Sequence, residues 1–166
     1  MAYTTEQIEE IKNKFLNALE EVIDPELGID IVNLGLVYEI HFDGETGATI
    51  IDMTLTTMGC PLADLLTDQI HDVLVEVEEV TSVDVKLVWY PAWTVEKMSR
   101  YARIALERLF AAGVLTEVQK RRFRLDVFRG LSTRQIGRLE RTSHQAVVKS
   151  LNLAIGKLKK FFVEQG

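Results

Sequence analysis

The stretch of sequence that decides the fold is residues 48–66, ATIIDMTLTTMGCPLADLL. Apolar and polar side chains alternate through its first part, which predicts a half-buried strand from Thr49 to Thr56. Its last part opens an apolar stripe with helical spacing, which predicts a helix whose first residue is Pro61, where a missing N–H costs nothing. Between them lies a short loop with the chain's single cysteine, Cys60. The stretch therefore predicts a strand, a thiol loop and a helix.

The sequence on either side adds two strands and two helices. Before the stretch, we predict a helix from Thr4 to Asp24-Pro25, with Gln7 completing a capping box, and then a strand from Val37 to Phe42. Residues 43–47 are a hairpin connection to the strand described above. After the stretch, we predict a strand from Ser82 to Trp89 and a helix that Thr94 caps and that runs to about Phe110. The order α-β-β-α-β-α predicts an α/β fold with a small three-stranded sheet covered by helices.

Charge divides the chain in two. Residues 1–110 carry 7 Lys and Arg against 21 Asp and Glu, a net charge of −14, whereas residues 111–166 carry 12 against 4, a net charge of +8. Such a split indicates two modules with different partners. We expect an α/β domain over residues 1–110 and an all-helical domain over residues 111–166, of which the second could meet nucleic acid.

The composition also excludes several classes of protein. The chain has no apolar run long enough to span a membrane, and its first ten residues lack the features of a signal peptide, so we expect a cytoplasmic protein. One cysteine cannot form an internal disulfide, and the three histidines show no paired metal-ligand spacing. No histidine obviously pairs with Cys60 and no glycine-rich phosphate loop occurs, so we expect no enzyme activity.

Cys60 is the candidate reactive residue. Its position before Pro61 places the sulfur at the N-cap of the predicted helix, where free N–H groups and the helix dipole favour a thiolate. The carboxylate of Asp64, one turn on, opposes that effect. The alternative is a buried cysteine that fills a small apolar gap, and the Gly59-Cys60-Pro61 setting favours the functional interpretation.

Several short motifs occur in a fixed order along residues 4–106. They are Asp24-Pro25-Glu26, Asn33-Leu34-Gly35-Leu36, Thr56-Thr57-Met58-Gly59-Cys60-Pro61, Trp89-Tyr90-Pro91-Ala92-Trp93 and Met98-Ser99-Arg100. Together they resemble the metal–sulfur (iron–sulfur) cluster assembly family, which includes SufT-type and PaaD-like bacterial proteins. The resemblance implies a non-enzymatic role in maturing iron–sulfur proteins.

The resemblance also implies a site. It assigns the cluster thiolate to Cys60 and the acidic motif to Asp24 and Glu26, with Thr57 and Asn33 in the same set. Taken from the residues alone, Asp24 and Glu26 are more simply explained as a helix stop and a turn. One thiolate cannot hold a cluster by itself, so a transient iron–sulfur cluster would need a homodimer, a client's cysteines or a small thiol. The implied partners are the iron–sulfur assembly machinery and client apoproteins.

The basic tail reads as three helices, the first ending at Gly130, the second capped by Ser132 or Thr133 and the third by Ser143. Residues 131–147 resemble the helix-turn-helix of the fourth region of sigma factors. The resemblance implies DNA contacts by Arg134, Ser143, His144, Gln145 and Lys149, of which His144, Gln145 and Lys149 are spaced to face outward together. Arg141 departs from the pattern, because such turns usually carry glycine, and Gly156 interrupts the third helix. The alternative is a solvated basic surface.

The sequence therefore predicts an auxiliary factor in iron–sulfur cluster assembly or transfer, with a C-terminal module of the DNA-binding type. One alternative is a transcription regulator whose N-terminal domain senses cluster or thiol status. The other is a fusion of two modules that do not communicate.

Overall fold

The computed structural model describes residues 3–25, 27–56 and 62–165. Its helices and strands are, in order, α1 (Thr5–Leu19), β1 (Val37–Phe42), β2 (Ala48–Met53), α2 (Ala63–Val75), β3 (Ser82–Leu87), α3 (Arg100–Ala111), α4 (Glu117–Phe123), α5 (Thr133–Glu140) and α6 (His144–Gln165). A 3-10 turn precedes α3, and a π-helical segment follows α4. The predicted α-β-β-α-β-α order and the helical C-terminal region are confirmed.

The three strands form one sheet in the order β1-β2-β3. β1 and β2 are antiparallel and joined by the predicted hairpin connection, whereas β2 and β3 are parallel because α2 crosses between them. α1 and α2 pack together against one face of the sheet, and the described strand residues on the opposite face are partly or fully exposed. The side chains buried between these two layers are Ile11, Phe15, Leu19, Ile40, Ile51, Met53, Leu66, Ile70 and Leu74.

The start of α1 is as predicted and its end is not. The Thr4 hydroxyl accepts a hydrogen bond from the Gln7 N–H at 3.2 Å, and the Gln7 side-chain oxygen accepts one from the Thr4 N–H at 2.9 Å. The helix ends at Leu19, well before the predicted Asp24. The helix cannot continue to Asp24, because Ile23 makes a β-bridge with Asp30 and a bridge requires extended backbone.

The predicted starts of two later helices are wrong. α2 begins at Ala63 rather than at Pro61, and its N-cap is Leu62, which offers no side-chain acceptor. α3 begins at Arg100 rather than after Thr94, because the backbone at Met98 is extended and separates a short 3-10 turn from the helix. The hydroxyl of Ser99 caps α3 by accepting from the Ala102 N–H at 3.1 Å.

The chain divides into two compact units. The first comprises residues 1–24 and 30–93, and the second comprises residues 25–29 and 94–166. This division falls earlier than the predicted boundary at residue 110 and assigns α3 to the second unit. Whether residues 1–110 and 111–166 act as separate domains stays a prediction.

The second unit is a cluster of helices with its own buried side chains. The rings of Phe110 and Phe123 meet edge to face, with centroids 6.0 Å apart. The carboxylate of Glu140 accepts from both Arg121, at 2.9 Å, and Arg122, at 2.6 Å, and so ties α4 to α5. Its other buried side chains include Ala102, Leu106, Leu109, Val127, Ile136, Val147, Leu151, Ala154 and Leu158. Within the described residues, every helix is too short or too polar to cross a membrane.

Candidate functional site

The acidic motif at Asp24 lies beside the Asn33 motif. The bridge between Ile23 and Asp30, reinforced by a 3.0 Å hydrogen bond from the Ile31 N–H to the Val22 carbonyl, brings the two segments together. Asp24 is buried, with 6% of its surface exposed. Burial of a carboxylate is costly unless it is hydrogen-bonded, and Asp24 does have a partner. Its position favours a held carboxylate over the helix stop that the sequence suggested.

Asn33 is held in place by Asp30, a residue that the sequence did not single out. One carboxylate oxygen of Asp30 accepts from the Asn33 backbone N–H at 2.8 Å, and the other accepts from the Asn33 side-chain amide at 2.7 Å. Asp30 is itself buried, with 8% exposed. The only sequence signal was an Asp three residues before Asn, the spacing at which an Asp side chain can bond the backbone of a turn.

The other motifs converge on the same segment through the backbone. The Thr54 N–H, at the end of β2, donates to the Leu36 carbonyl at 2.8 Å, and the Val88 N–H donates to the Met53 carbonyl at 2.8 Å. The indole N–H of Trp93 donates to the Leu34 carbonyl at 2.8 Å. The Asn33 motif, the chain leading to the thiol loop and the Trp89–Trp93 motif are therefore neighbours in the fold.

The tryptophan motif has a structural role in this arrangement. Trp93 is buried, whereas Trp89 is 38% exposed. The Tyr38 hydroxyl donates to the Pro91 carbonyl at 2.7 Å. Burial raises the pKa of the Tyr38 phenol, which keeps the donor proton in place at neutral pH. These bonds fix the segment that carries Trp93 against the first unit's motifs.

Three of the predicted site residues, Glu26, Thr57 and Cys60, lie outside the described residues. The described chain resumes at Leu62, and Asp64 is exposed in the first turn of α2. The N-cap of the described helix α2 is Leu62. The roles of Cys60, Thr57 and Glu26 stay predictions.

A second candidate surface lies on α5 and α6. The two helices pack against each other and are joined by three residues, Arg141 to Ser143. Arg141 has a φ of 55°, the left-handed conformation that the turn demands and that costs a side-chain-bearing residue about 1 kcal/mol or more. The Ser143 hydroxyl accepts from the Ala146 N–H at 3.2 Å and caps α6, as predicted.

Three of the predicted DNA-contacting residues come together on α6. His144, Gln145 and Lys149 line one shallow depression, together with Val148, Asn152 and Leu153. Arg134 is exposed on α5, and Ser143 is engaged in the cap; neither lines that depression. The exposed side chains Val148 and Leu153 make the surface more apolar than the basic composition suggested.

The first unit and its convergent motifs define a small two-layer α/β domain of the cluster-assembly class. A family model described as "Iron-sulfur cluster assembly protein" matches residues 12–85. The Fe-S protein maturation auxiliary factor YitW of Bacillus subtilis is 55% identical to this chain over 98 residues, which cover 95% of that protein and 59% of this chain. The chain belongs to the iron–sulfur cluster assembly protein family, as its motifs predicted.

One further curated relative and one solved structure also match the N-terminal part of the chain. The Fe-S protein maturation auxiliary factor SufT of Staphylococcus aureus is 58% identical over 85 residues, covering 96% of that protein and 51% of this chain. The crystal structure of a domain of unknown function, DUF59, from Bacillus anthracis superposes with a TM-score of 0.57 at 49% identity, covering 93% of that chain and 60% of this one. All three alignments leave about two-fifths or more of this chain unmatched.

Proposed function

We propose that this chain is an auxiliary factor in the assembly of iron–sulfur clusters or in their transfer to client proteins. The observation that carries the proposal is the 55% identity to a maturation auxiliary factor that this chain covers almost completely. The site is the neighbourhood of Asp24 and Asn33, with Cys60, Thr57 and Glu26 completing it. The role is that of an accessory protein rather than an enzyme.

Cys60 supplies the soft thiolate that iron prefers. Because the chain has one cysteine, a cluster held here is transient and needs further ligands, from a second copy, from a client or from a small thiol. The partners are the assembly machinery and client apoproteins. The buried Asp24 and the Asp30–Asn33 pair support this role by fixing the backbone beside the chain that leads to the thiol loop.

The test is cluster transfer to an apo iron–sulfur enzyme whose activity reports insertion. After anaerobic loading with ferrous iron and sulfide, we expect the full chain to accelerate insertion and the Cys60→Ser variant to lose that acceleration. A matched control is the wild-type chain with its thiol blocked by a reversible methanethiosulfonate reagent, which should regain activity on reduction. Full transfer by a folded Cys60→Ser protein would remove Cys60 from the mechanism.

We further propose that the helices α5 and α6 bind double-stranded DNA. The supporting observation is the juxtaposition of His144, Gln145 and Lys149 on the exposed N-terminal part of α6, behind a three-residue turn. If α6 enters the major groove, Gln145 pairs with adenine, Lys149 with guanine or phosphate, and Val148 contacts a thymine methyl. The net charge of +8 on residues 111–166 supplies affinity for phosphate.

Titration of a labelled duplex with the full chain tests this proposal. We expect Lys149→Ala to weaken binding severalfold and to reduce its salt dependence. The control is Lys160→Ala, because Lys160 is an exposed lysine near the other end of the same helix, 77% exposed. Equal effects of the two variants would mean that only net charge matters, and no binding at low salt would favour a protein-docking module.

Repeating the titration with and without a reconstituted cluster distinguishes the alternatives. Cluster-dependent DNA affinity favours a regulator that senses cluster status. Independent behaviour favours an assembly factor with a separate module or a fusion whose halves do not communicate.

A further inference from the structure

The face of the sheet opposite α1 and α2 carries three metal-ligating side chains, two of them exposed and one partly exposed. Glu39 and His41 lie two residues apart on β1, and Asp52 lies on β2. One donor atom of each lies within 4.8 Å of the other two, and His41 Nε2 is 2.9 Å from a carboxylate oxygen of Asp52. These residues form a cluster on the first unit that shares no residue with the site described above.

A β-bulge creates the cluster. The register shifts between Val37, which pairs with Met53, and Glu39, which pairs with Asp52. Without the shift, Glu39 would pair with Ile51, a fully buried residue, and would point into the core. The bulge puts Glu39 directly opposite Asp52 on the solvent side, and His41 follows on the same face.

The donor set selects a class of ion. An imidazole nitrogen with two carboxylate oxygens suits zinc, ferrous iron, manganese and their neighbours better than magnesium or calcium, which take oxygen ligands. Zinc ligands lie about 2.0–2.2 Å from the metal, so two donors at a tetrahedral angle are about 3.4 Å apart. The donor atoms, which lie within 4.8 Å of one another, therefore need side-chain rotation to reach this spacing, and the His41–Asp52 pair, now at 2.9 Å, would move slightly apart.

The surrounding charges are mixed. On β3, Lys86 is in register with Asp52, and Asp84 is in register with Ile50. Both β3 side chains are exposed. Two carboxylates and a neutral imidazole balance a divalent ion, so a bound metal creates no buried net charge, and water fills the remaining positions.

We propose that Glu39, His41 and Asp52 bind one divalent first-row transition-metal ion, with zinc as the representative ion. The site is a resident surface site with three protein ligands and open positions. The site shares no residue with the proposed cluster-transfer site, so a failure of this proposal leaves the proposed function untouched, and the reverse.

Metal titration of the full chain tests the site. The chain should carry Cys60→Ser to remove the competing thiolate, and should be stripped of metal with a chelator first. We expect one Zn²⁺ per chain by calorimetry, and Co²⁺ should give visible d–d absorption. In that background His41→Ala should weaken zinc binding at least tenfold, and Glu39→Gln should weaken it severalfold.

The matched control is His71→Ala, because His71 is an exposed histidine on α2. It should bind zinc as the parent does, and circular dichroism should show all variants folded. Equal losses in the His41 and His71 variants, or no saturable binding in the parent, would overturn the proposal.

Discussion

At the scale of single residues, Glu140 gives the second unit a dependence on pH. Burial alone would raise the pKa of this carboxyl, but its bonds to Arg122 and Arg121 outweigh burial and hold the pKa below its usual range. The stabilisation is therefore complete above the unfolded-state pKa, near ~4.3, and is lost as the pH falls through the lower folded-state value. We expect Glu140→Gln to destabilise the chain at pH 7 by about 1–3 kcal/mol and to flatten its acid dependence between roughly pH 5 and 3.

Urea unfolding of the full chain over this pH range measures the effect. Glu117→Gln is the control. Glu117 is paired with a lysine, as Glu140 is paired with two arginines, but its side chain is 86% exposed, and exposed pairs contribute little. A Glu140 variant as stable as this control at pH 7 would contradict the argument.

The pKa of Asp126 is shifted in the opposite direction to that of Glu140. It lies in the π-helical segment after α4, and burial raises its pKa. A carboxyl with a raised folded-state pKa costs stability as the pH rises from its ordinary pKa, near ~3.9, through the raised value. We expect Asp126→Asn to raise the melting temperature at pH 7 and to leave it nearly unchanged at pH 3. A lower melting temperature at pH 7 would mean that the charged carboxylate is stabilised by its surroundings.

At the scale of elements, two glycines in neighbouring helices should respond oppositely to alanine. A Cβ at Gly137 of α5 would lie 2.9 Å from the Thr142 carbonyl oxygen and 3.3 Å from the His144 nitrogen, whereas a Cβ at Gly156 of α6 meets nothing within 4 Å. We expect Gly137→Ala to cost about 1–3 kcal/mol by overpacking, and Gly156→Ala to gain about 1 kcal/mol of helix propensity.

Thermal melts of the two variants beside the wild type decide the matter. If Gly137→Ala is as stable as the wild type, the turn between α5 and α6 can move away from α5, and the close packing of Gly137 on that turn is not required for the two helices to fold.

Local signals were readable from the sequence, and signals set by distant partners were not. Thr4 with Gln7 and Ser132 with Gln135 both form the capping boxes that their spacing indicates, because a cap depends on residues three positions apart. The end of α1 depends on a bridge to Asp30, across a loop. The start of α3 was misassigned because Thr94 and Ser99 are both competent caps, and only the extended backbone at Met98 separates them.

The same distinction applies to the sites. The motifs indicated Asn33 and Asp24, whose role in a site stays a prediction, whereas they gave no indication of Asp30, because its bonds to Asn33 form only once the turn is folded. The Glu39–His41–Asp52 cluster was missed because it depends on strand register. A one-residue bulge decides whether Glu39 faces the core or solvent, and hydrophobic alternation within one strand does not reveal it.

At the scale of the whole molecule, we expect residues 1–110 to fold alone. The reason is that the alignment to the YitW relative covers 95% of that protein with 98 residues of this chain. Calorimetry should show one cooperative transition for a fragment of residues 1–110. A parallel fragment of residues 1–93 tests the earlier division of the chain.

An equally cooperative melt of the shorter fragment would move the domain boundary to Trp93. If residues 1–110 are unfolded while the full chain is folded, the helical tail is part of their core and the two-domain interpretation is wrong.

The capping boxes affect how the helix N-termini of this protein respond to low pH. In the described chain, α1, α4 and α5 each begin with such a box, and the reciprocal side chain in each is a glutamine, namely Gln7, Gln119 and Gln135. An amide side chain does not titrate as the pH falls, whereas a glutamate in its place would be neutralised near pH ~4.3. The capping boxes therefore keep their hydrogen bonds as carboxylates are neutralised, and acid should weaken the ion pairs of this protein, the Glu117–Lys120 pair in the first turn of α4 among them, before it weakens the boxes.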